Sequence, residues 1–270
     1  MICRDKNIRR ALRDKQRGFL LNPFRFGGAS DPYFASVVLL LHMDGSNGST
    51  ATIDSSSSNK TMTAIGNAKL STAQKKFGPS SALFDGNADY FSTPDSQDWN
   101  LGTGDFTVEF SYYATSFPNG GAMLGTWSVS EGQNSWLVGN PSSGQPGSPP
   151  ANAIRFVASA NGRYDTSTVD IYGTGPGSLM VVNTWYHIAI VRGGGSFKLF
   201  INGKLLTTKA IGSQSSNAAI NIYHNNFPLK VGGIGTTTDA NGYMDEVRIT
   251  KGVARYSNDF FPPTGPFPDS

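Results

Sequence analysis

The 270-residue chain is short of several things: it has one cysteine, three histidines, three glutamates, and only 15% charged residues. Soluble domains carry ~25% charged residues, so this is a polar but weakly charged chain. The lone Cys3 excludes an internal disulfide and a cysteine-ligated metal. No apolar run approaches the ~18 residues of a membrane-spanning helix. The basic start runs into Phe19-Leu20-Leu21, an apolar stretch well below the ~7–15 residues of a secretory signal, and Asn22-Pro23 ends it, so no signal peptide is expected. No fixed-period repeat is present, which argues against propellers and solenoids. Beyond residue 36 no segment keeps helical spacing for ten residues. A chain of this size buries about three-quarters of its unfolded surface and needs no staple to fold.

Charge is present, but unevenly. Residues 1–17 hold seven Lys/Arg (Arg4, Lys6, Arg9, Arg10, Arg13, Lys15, Arg17) against Asp5 and Asp14, a net +5. The whole chain is +3, so the remainder is mildly acidic at −2. Ile8, Ala11 and Leu12 recur at helical spacing before Gly18, which predicts a short helix with a solvated basic face. Phe19, Phe24 and Phe26 follow, separated by turn formers, as aromatic knobs on an extended peptide. Arg4, Arg9, Arg10, Arg13, Arg17, Phe19, Phe24 and Phe26 are therefore the candidate partner-binding residues of an arm spanning 1–35. The arm has no interleaved aromatics before Phe19 and no nucleic-acid-reading motif. A protein partner is expected rather than a nucleic acid.

From Val37 onward the signal is period-two alternation broken by Gly, Ser, Asn and Pro, as 32 glycines and 15 prolines allow. Val37–Met43 is a continuous apolar run fit for a strand covered on both faces. Phe106, Val108, Phe110 and Tyr112 line one face of a strand whose other face is Thr107, Glu109 and Ser111. Trp185–Arg192 and Phe197–Ile201 flank a triple-glycine turn. Asn202-Gly203 is a type I′ hairpin signal leading into Lys204–Thr208. Leu229–Val231 and Tyr243–Thr250 complete the pattern. The expected body, residues 36–270, is a single all-β domain of two sheets packed face to face.

The chemistry-bearing residues are few. Glycoside hydrolysis needs two carboxylates roughly 5–10 Å apart across one sugar. Only Glu109, Glu131 and Glu246 are available as glutamates, and Asp245-Glu246 should point to opposite faces of a strand. There is no Gly-x-Ser-x-Gly elbow, and Cys3 has no nearby histidine. His42 and His187 sit inside apolar strands, where a hydrogen-bonded structural imidazole is expected; His224 completes the set. Gly173–Gly177 and Gly232–Gly235 open no helix and so lack a phosphate cradle. Sugar binding would use aromatic faces with polar neighbours. Trp127, Trp136, Tyr164 and Tyr172, beside Asn134, Asn161 and Asp165, have that composition, and Trp127, Trp136, Tyr164, Asp165 and Tyr172 are the candidate glycan residues.

Several segments together resemble the laminin-G-like, concanavalin A-like jelly-roll family. They are Leu39–Gly45, Phe77–Gly86, Asp105–Phe110, Trp185–Arg192, Phe200–Gly203, Gly242–Ile249 and Phe260–Thr264, covering about 36–265. The resemblance implies an antiparallel jelly-roll sandwich behind the extended, partly helical basic arm. It also brings glucanase relatives, whose Glu-x-Asp-x-Glu strand is missing here. Related sandwiches often hold calcium through carboxylates and carbonyls; Asp44, Asp54 and Asp245 are the matching candidates, with Asp44 alternatively capping its own turn. No other cofactor is expected. The whole chain is similar in style to accessory proteins of tailed bacteriophage particles, which place such a sandwich behind a particle-binding N-terminus.

These readings converge on a noncatalytic virion structural or adhesion protein located on the particle. It would be a tail-fibre, tail-associated or head-decoration protein. Its expected partners are capsid or tail proteins, host surface glycans and further copies of itself. A carbohydrate-active enzyme and a free secreted lectin are the alternatives.

Overall fold

The computed structural model describes residues 30–128, 132–212 and 219–270. Two antiparallel sheets of eight strands each account for the regular structure, with only two single-turn 3-10 helices, Phe34–Ser36 and Gln97–Trp99. The first sheet contains β1 (Val37–Leu41), β3 (Lys69–Ser71), β4 (Ser81–Asp85), β6 (Phe106–Ala114), β11 (Trp185–Gly193), β12 (Ser196–Ile201), β13 (Lys204–Leu205) and β16 (Asn241–Lys251). Its order is β13-β12-β11-β6-β16-β4-β3, with β1 also paired to β16. The second contains β2 (Thr63–Ile65), β5 (Tyr90–Thr93), β7 (Ala122–Gly125), β8 (Trp136–Gly139), β9 (Arg155–Ala158), β10 (Val169–Thr174), β14 (Thr207–Ala210) and β15 (Leu229–Val231). Its order is β14-β10-β9-β8-β7-β15-β5-β2. This is the expected all-β jelly-roll sandwich.

Alternation decides which residues fill the space between the sheets. Phe106, Val108, Phe110 and Tyr112 of β6 meet Trp136, Val138, Phe156 and Ala158 of β8 and β9 in one core. Phe156 packs 6.1 Å from Phe106 and 5.2 Å from Phe197, ring centre to ring centre, tying the two layers together. Such aromatic pairs add about 0.5–1.5 kcal/mol beyond area burial. Asn202 and Gly203 both adopt positive φ, 48° and 74°, the type I′ geometry their sequence signals. The run after them divides: β13 stays in the first sheet, whereas β14 joins β10 of the second.

The outer face of the first sheet is not a solvent face. Glu109, predicted to lie opposite the core, is fully buried. It accepts from Arg248 Nε and Nη2, from Tyr256 Oη, and pairs with His187 Nε2. Asp31 bonds Arg248 and both Nη atoms of Arg255. The C-terminal segment beyond β16 lies over this cluster. Tyr256 stacks on Phe260 at 3.6 Å, and the Arg248 guanidinium sits 3.7 Å over Phe267. Residues 30–35, grouped with the arm in the sequence, are thus held to the sandwich. Asp31 N even donates to the Ser270 carbonyl, 2.6 Å away.

Asp245 and Glu246 depart from simple alternation. Glu246 takes φ 53°, and the β6–β16 register slips between Asp245 and Arg248. The bulge puts Val247, not Glu246, into the core. Glu246 instead accepts from Phe267 N of the C-terminal segment and pairs with His42 Nδ1. Asp245 in turn accepts from Lys76 N and Phe77 N, so the two carboxylates serve different segments.

Candidate functional site

Loops cover most of the outer face of the second sheet and leave a cleft between them. In β8 and β9, Trp136, Val138 and Phe156 turn inward, so Leu137, Arg155 and Val157 must turn outward. They floor a cleft of about 370 Å³. Loops raise its walls: Gly120 and Trp127 flank β7, Gln145 and Tyr164 flank β9, and Ile234, Thr236 and Thr238 follow β15. The last wall is fixed by the buried Asp239, which accepts from the backbone N–H of Ile234, Gly235 and Thr236 and from Thr236 Oγ1.

Trp127 packs on Leu137 and Val157 and backs the cleft, while Tyr164 projects with 43% of its surface exposed. Their ring centres lie 6.4 Å apart, edge to face. Beneath Tyr164 lies a buried polar group. Arg155 pairs with Tyr172 across the β9–β10 ladder and Asp170 with Val157, which makes Arg155 and Asp170 diagonal neighbours on the outer face. Arg155 Nε and Nη2 donate to the two Asp170 oxygens at 2.7 and 2.6 Å, and Tyr164 Oη donates to Asp170 Oδ2 at 2.5 Å. Burial opposes the Arg155 charge, but the Asp170 carboxylate outweighs it and holds the guanidinium pKa above its ordinary value. Burial and then the Asp170 charge push the Tyr164 phenol up to about 12, so it stays a donor.

Trp127 and Tyr164 are therefore the two sequence-named glycan candidates that come together in the cleft. Trp136 is fully buried between the sheets, its Nε1 donating to the Trp99 carbonyl. Tyr172 packs with Ala153 and Ile211 further along the sheet. Asp165 caps an exposed turn, accepting from Ser167 N and Oγ and from Asn161 Nδ2. The sequence reading missed Leu137, Gln145, Arg155, Val157, Thr236 and Thr238. One signal was available: Trp136-Leu137-Val138 and Phe156-Val157-Ala158 are apolar on both faces, although only one face meets the core. Arg4, Arg9, Arg10, Arg13, Arg17, Phe19, Phe24 and Phe26 lie outside the described residues, as does Glu131.

The cation candidates separate. Asp54 is a turn cap: Oδ1 accepts from Leu40 N and Ser56 N, Oδ2 from Ser56 Oγ and Lys60 N. Asp44 and Asp245 instead converge on the 76–78 loop. Asp245 Oδ2 accepts from Lys76 N and Phe77 N, and Asp44 lies so close over Gly78 that a Cβ there would strike its carboxylate. Asp245 Oδ1 is buried without a partner among the described residues. Burial, together with the charges of Glu246 and Asp44, pushes Asp245 up to about 7. Asp44 and Asp245 are thus the two of the three candidates that share a loop and could contribute oxygens to a calcium ion, whereas Asp54 is spent on its turn. Calcium there would neutralise their mutual repulsion. Among the described residues no group of three or more His, Cys, Asp or Glu could hold a metal.

A profile of the Laminin G 3 family, described as the concanavalin A-like lectin/glucanases superfamily, matches residues 85–255. The chain belongs to this superfamily. Among solved structures, the botulinum neurotoxin serotype D binding domain aligns at TM-score 0.55 and 17% identity, over 82% of this chain and 49% of that one. The serotype C1 binding domain gives 0.49 and 15%, over 82% and 50%. Domain 4 of an extracellular arabinanase from Geobacillus stearothermophilus, in complex with arabinotriose, gives 0.49 and 16%, over 81% and 94%. The chain spans about half the length of the toxin domains. At these identities the likeness concerns the fold alone. No curated protein matches the chain.

Proposed function

We propose that this superfamily member is a noncatalytic glycan-binding protein of a virus particle, attached by its N-terminal arm and presenting the cleft of the second sheet. One observation carries the binding reading. The cleft combines an aromatic and aliphatic wall with amide, hydroxyl and guanidinium groups, and among the described residues no Asp or Glu lines it. Pockets of ~300–1,000 Å³ with mostly apolar walls and a few placed polar groups are the usual form of small-ligand sites. The absence of a lining carboxylate pair disfavours the hydrolase alternative among the described residues. Glu109 and Glu246 lie beneath the C-terminal segment, and Asp170 is buried against Arg155.

The attachment reading is supported by placement and charge. Ser30, where the described chain starts, borders the groove beneath the C-terminal segment on the outer face of the first sheet. The cleft lies on the other sheet, so a tether leaving from Ser30 would leave the cleft unobstructed. The net +5 of residues 1–17 suits an acidic surface on a capsid or tail protein. A free secreted lectin would have the same cleft and no such attachment. Among the described residues no helix is long and apolar enough to cross a membrane.

The test has two arms. Trp127→Ala is expected to cut binding on a glycan array at least tenfold while leaving the circular dichroism spectrum unchanged; retained binding refutes the cleft. Deleting residues 1–29 should preserve that binding and abolish co-sedimentation with particles; normal incorporation refutes the tether.

A further inference from the structure

Among the described residues that line the cleft, the charged one is Arg155, and its charge is already paired. Arg155 is forked onto Asp170. Lys230 Nζ donates to the Ile234 carbonyl, so its hydrogen bond is spent on the cleft wall. The Arg155–Asp170 pair lies at a cleft whose wall is built from Trp127, Leu137, Val157 and Ile234. Arg155 Nη1 is left without a hydrogen-bond partner among the described residues, on a guanidinium whose plane the Asp170 fork fixes.

Resting on the glycan reading above, we propose that this cleft selects a neutral sugar unit and discriminates against sugars bearing a carboxylate. A paired guanidinium still donates a directed hydrogen bond to a hydroxyl or amide oxygen. Its attraction for an anion is largely cancelled, because the Asp170 carboxylate stands just behind it with opposite sign. A uronate or sialate entering here would give up water for apolar walls without gaining a net positive partner, which is the unfavourable case for a buried charge. A neutral pyranose gives up far less. Its C–H face can lie against the exposed ring of Tyr164, while its oxygens reach Arg155 Nη1, Gln145, Thr236 and Thr238.

The experiment uses the full chain on an array of neutral oligosaccharides, each paired with its C6-carboxylate counterpart, with titration calorimetry on the best pair at 20 and 300 mM NaCl. The expected result is at least tenfold tighter binding of the neutral member, with an affinity that changes less than twofold across the salt range. Asp170→Asn, which removes the compensating charge, should narrow or reverse the preference. Should that variant fail to fold, Arg155→Gln reports instead, weakening the neutral sugar without improving the acidic one. Tighter binding of the carboxylate member by the wild-type chain overturns this inference and leaves the glycan reading standing. Binding of neither member of any pair overturns the glycan reading itself.

Discussion

Glu109 shows how a single residue can hold two distant chain segments. Burial favours its neutral form, but Arg248, His187 and Arg255 prevail and hold the carboxyl down at about 2. The sign follows directly: a depressed acid stabilises the fold above its unfolded value of 4.5, and that contribution is lost as pH falls toward 2. Glu109→Gln leaves Arg248 and Tyr256 facing an uncharged amide inside the cluster. Losing one partner of a buried ion pair costs ~3–5 kcal/mol. Urea denaturation at pH 7 should register a loss of that size, with the gap to wild type closing in acid. Asp44 and Asp245 yield a second expectation. Millimolar calcium should raise the wild-type Tm in differential scanning calorimetry and leave Asp245→Asn unmoved. The cleft was only half legible at this scale. Trp127 and Tyr164 are named by composition, but Arg155 and Thr236 reach them through strand pairing and a loop fold that no local pattern encodes.

Among the elements, the strands were legible wherever apolar and polar residues alternate in the sequence. β6, β11, β12 and β16 follow from their alternation, and the Asn202-Gly203 turn from its dipeptide. What escaped was non-local. β14 resembles a continuation of β13, and only its pairing with β10 reveals the change of sheet. The polar row Thr107, Glu109, Ser111 reads as a wet face because the covering segment begins more than 140 residues later. That cover is positioned by the hairpin. Phe260 N donates to the Gly203 carbonyl, and a Cβ on Gly203 would collide with the Phe260 carbonyl oxygen. Gly203 also needs its φ of 74°. Gly203→Ala should therefore destabilise by more than ~1 kcal/mol, beyond the usual left-handed penalty, because collision adds to strain. Thermal unfolding measures it, and protease nicking near Phe260 should accelerate in step.

At the scale of the molecule, the two outer faces have different roles. One is roofed by residues 30–36 and the C-terminal segment over a buried ionic cluster; the other is covered by loops that wall the cleft. This asymmetry follows from where the covering segments attach, since both sheets have eight strands and share one core. The hydrogen bond from Asp31 to Ser270 carries the point further, because it brings the start of the described body against the chain's last residue. A gene rewired so that Ser270 runs through a short glycine bridge into Ser30, reopened at the Gly194-Gly195 bend, should still fold and melt within a few degrees of its parent. Cargo genetically grafted near the old junction would ride on the reverse side of the molecule, out of the way of whatever the cleft recognises.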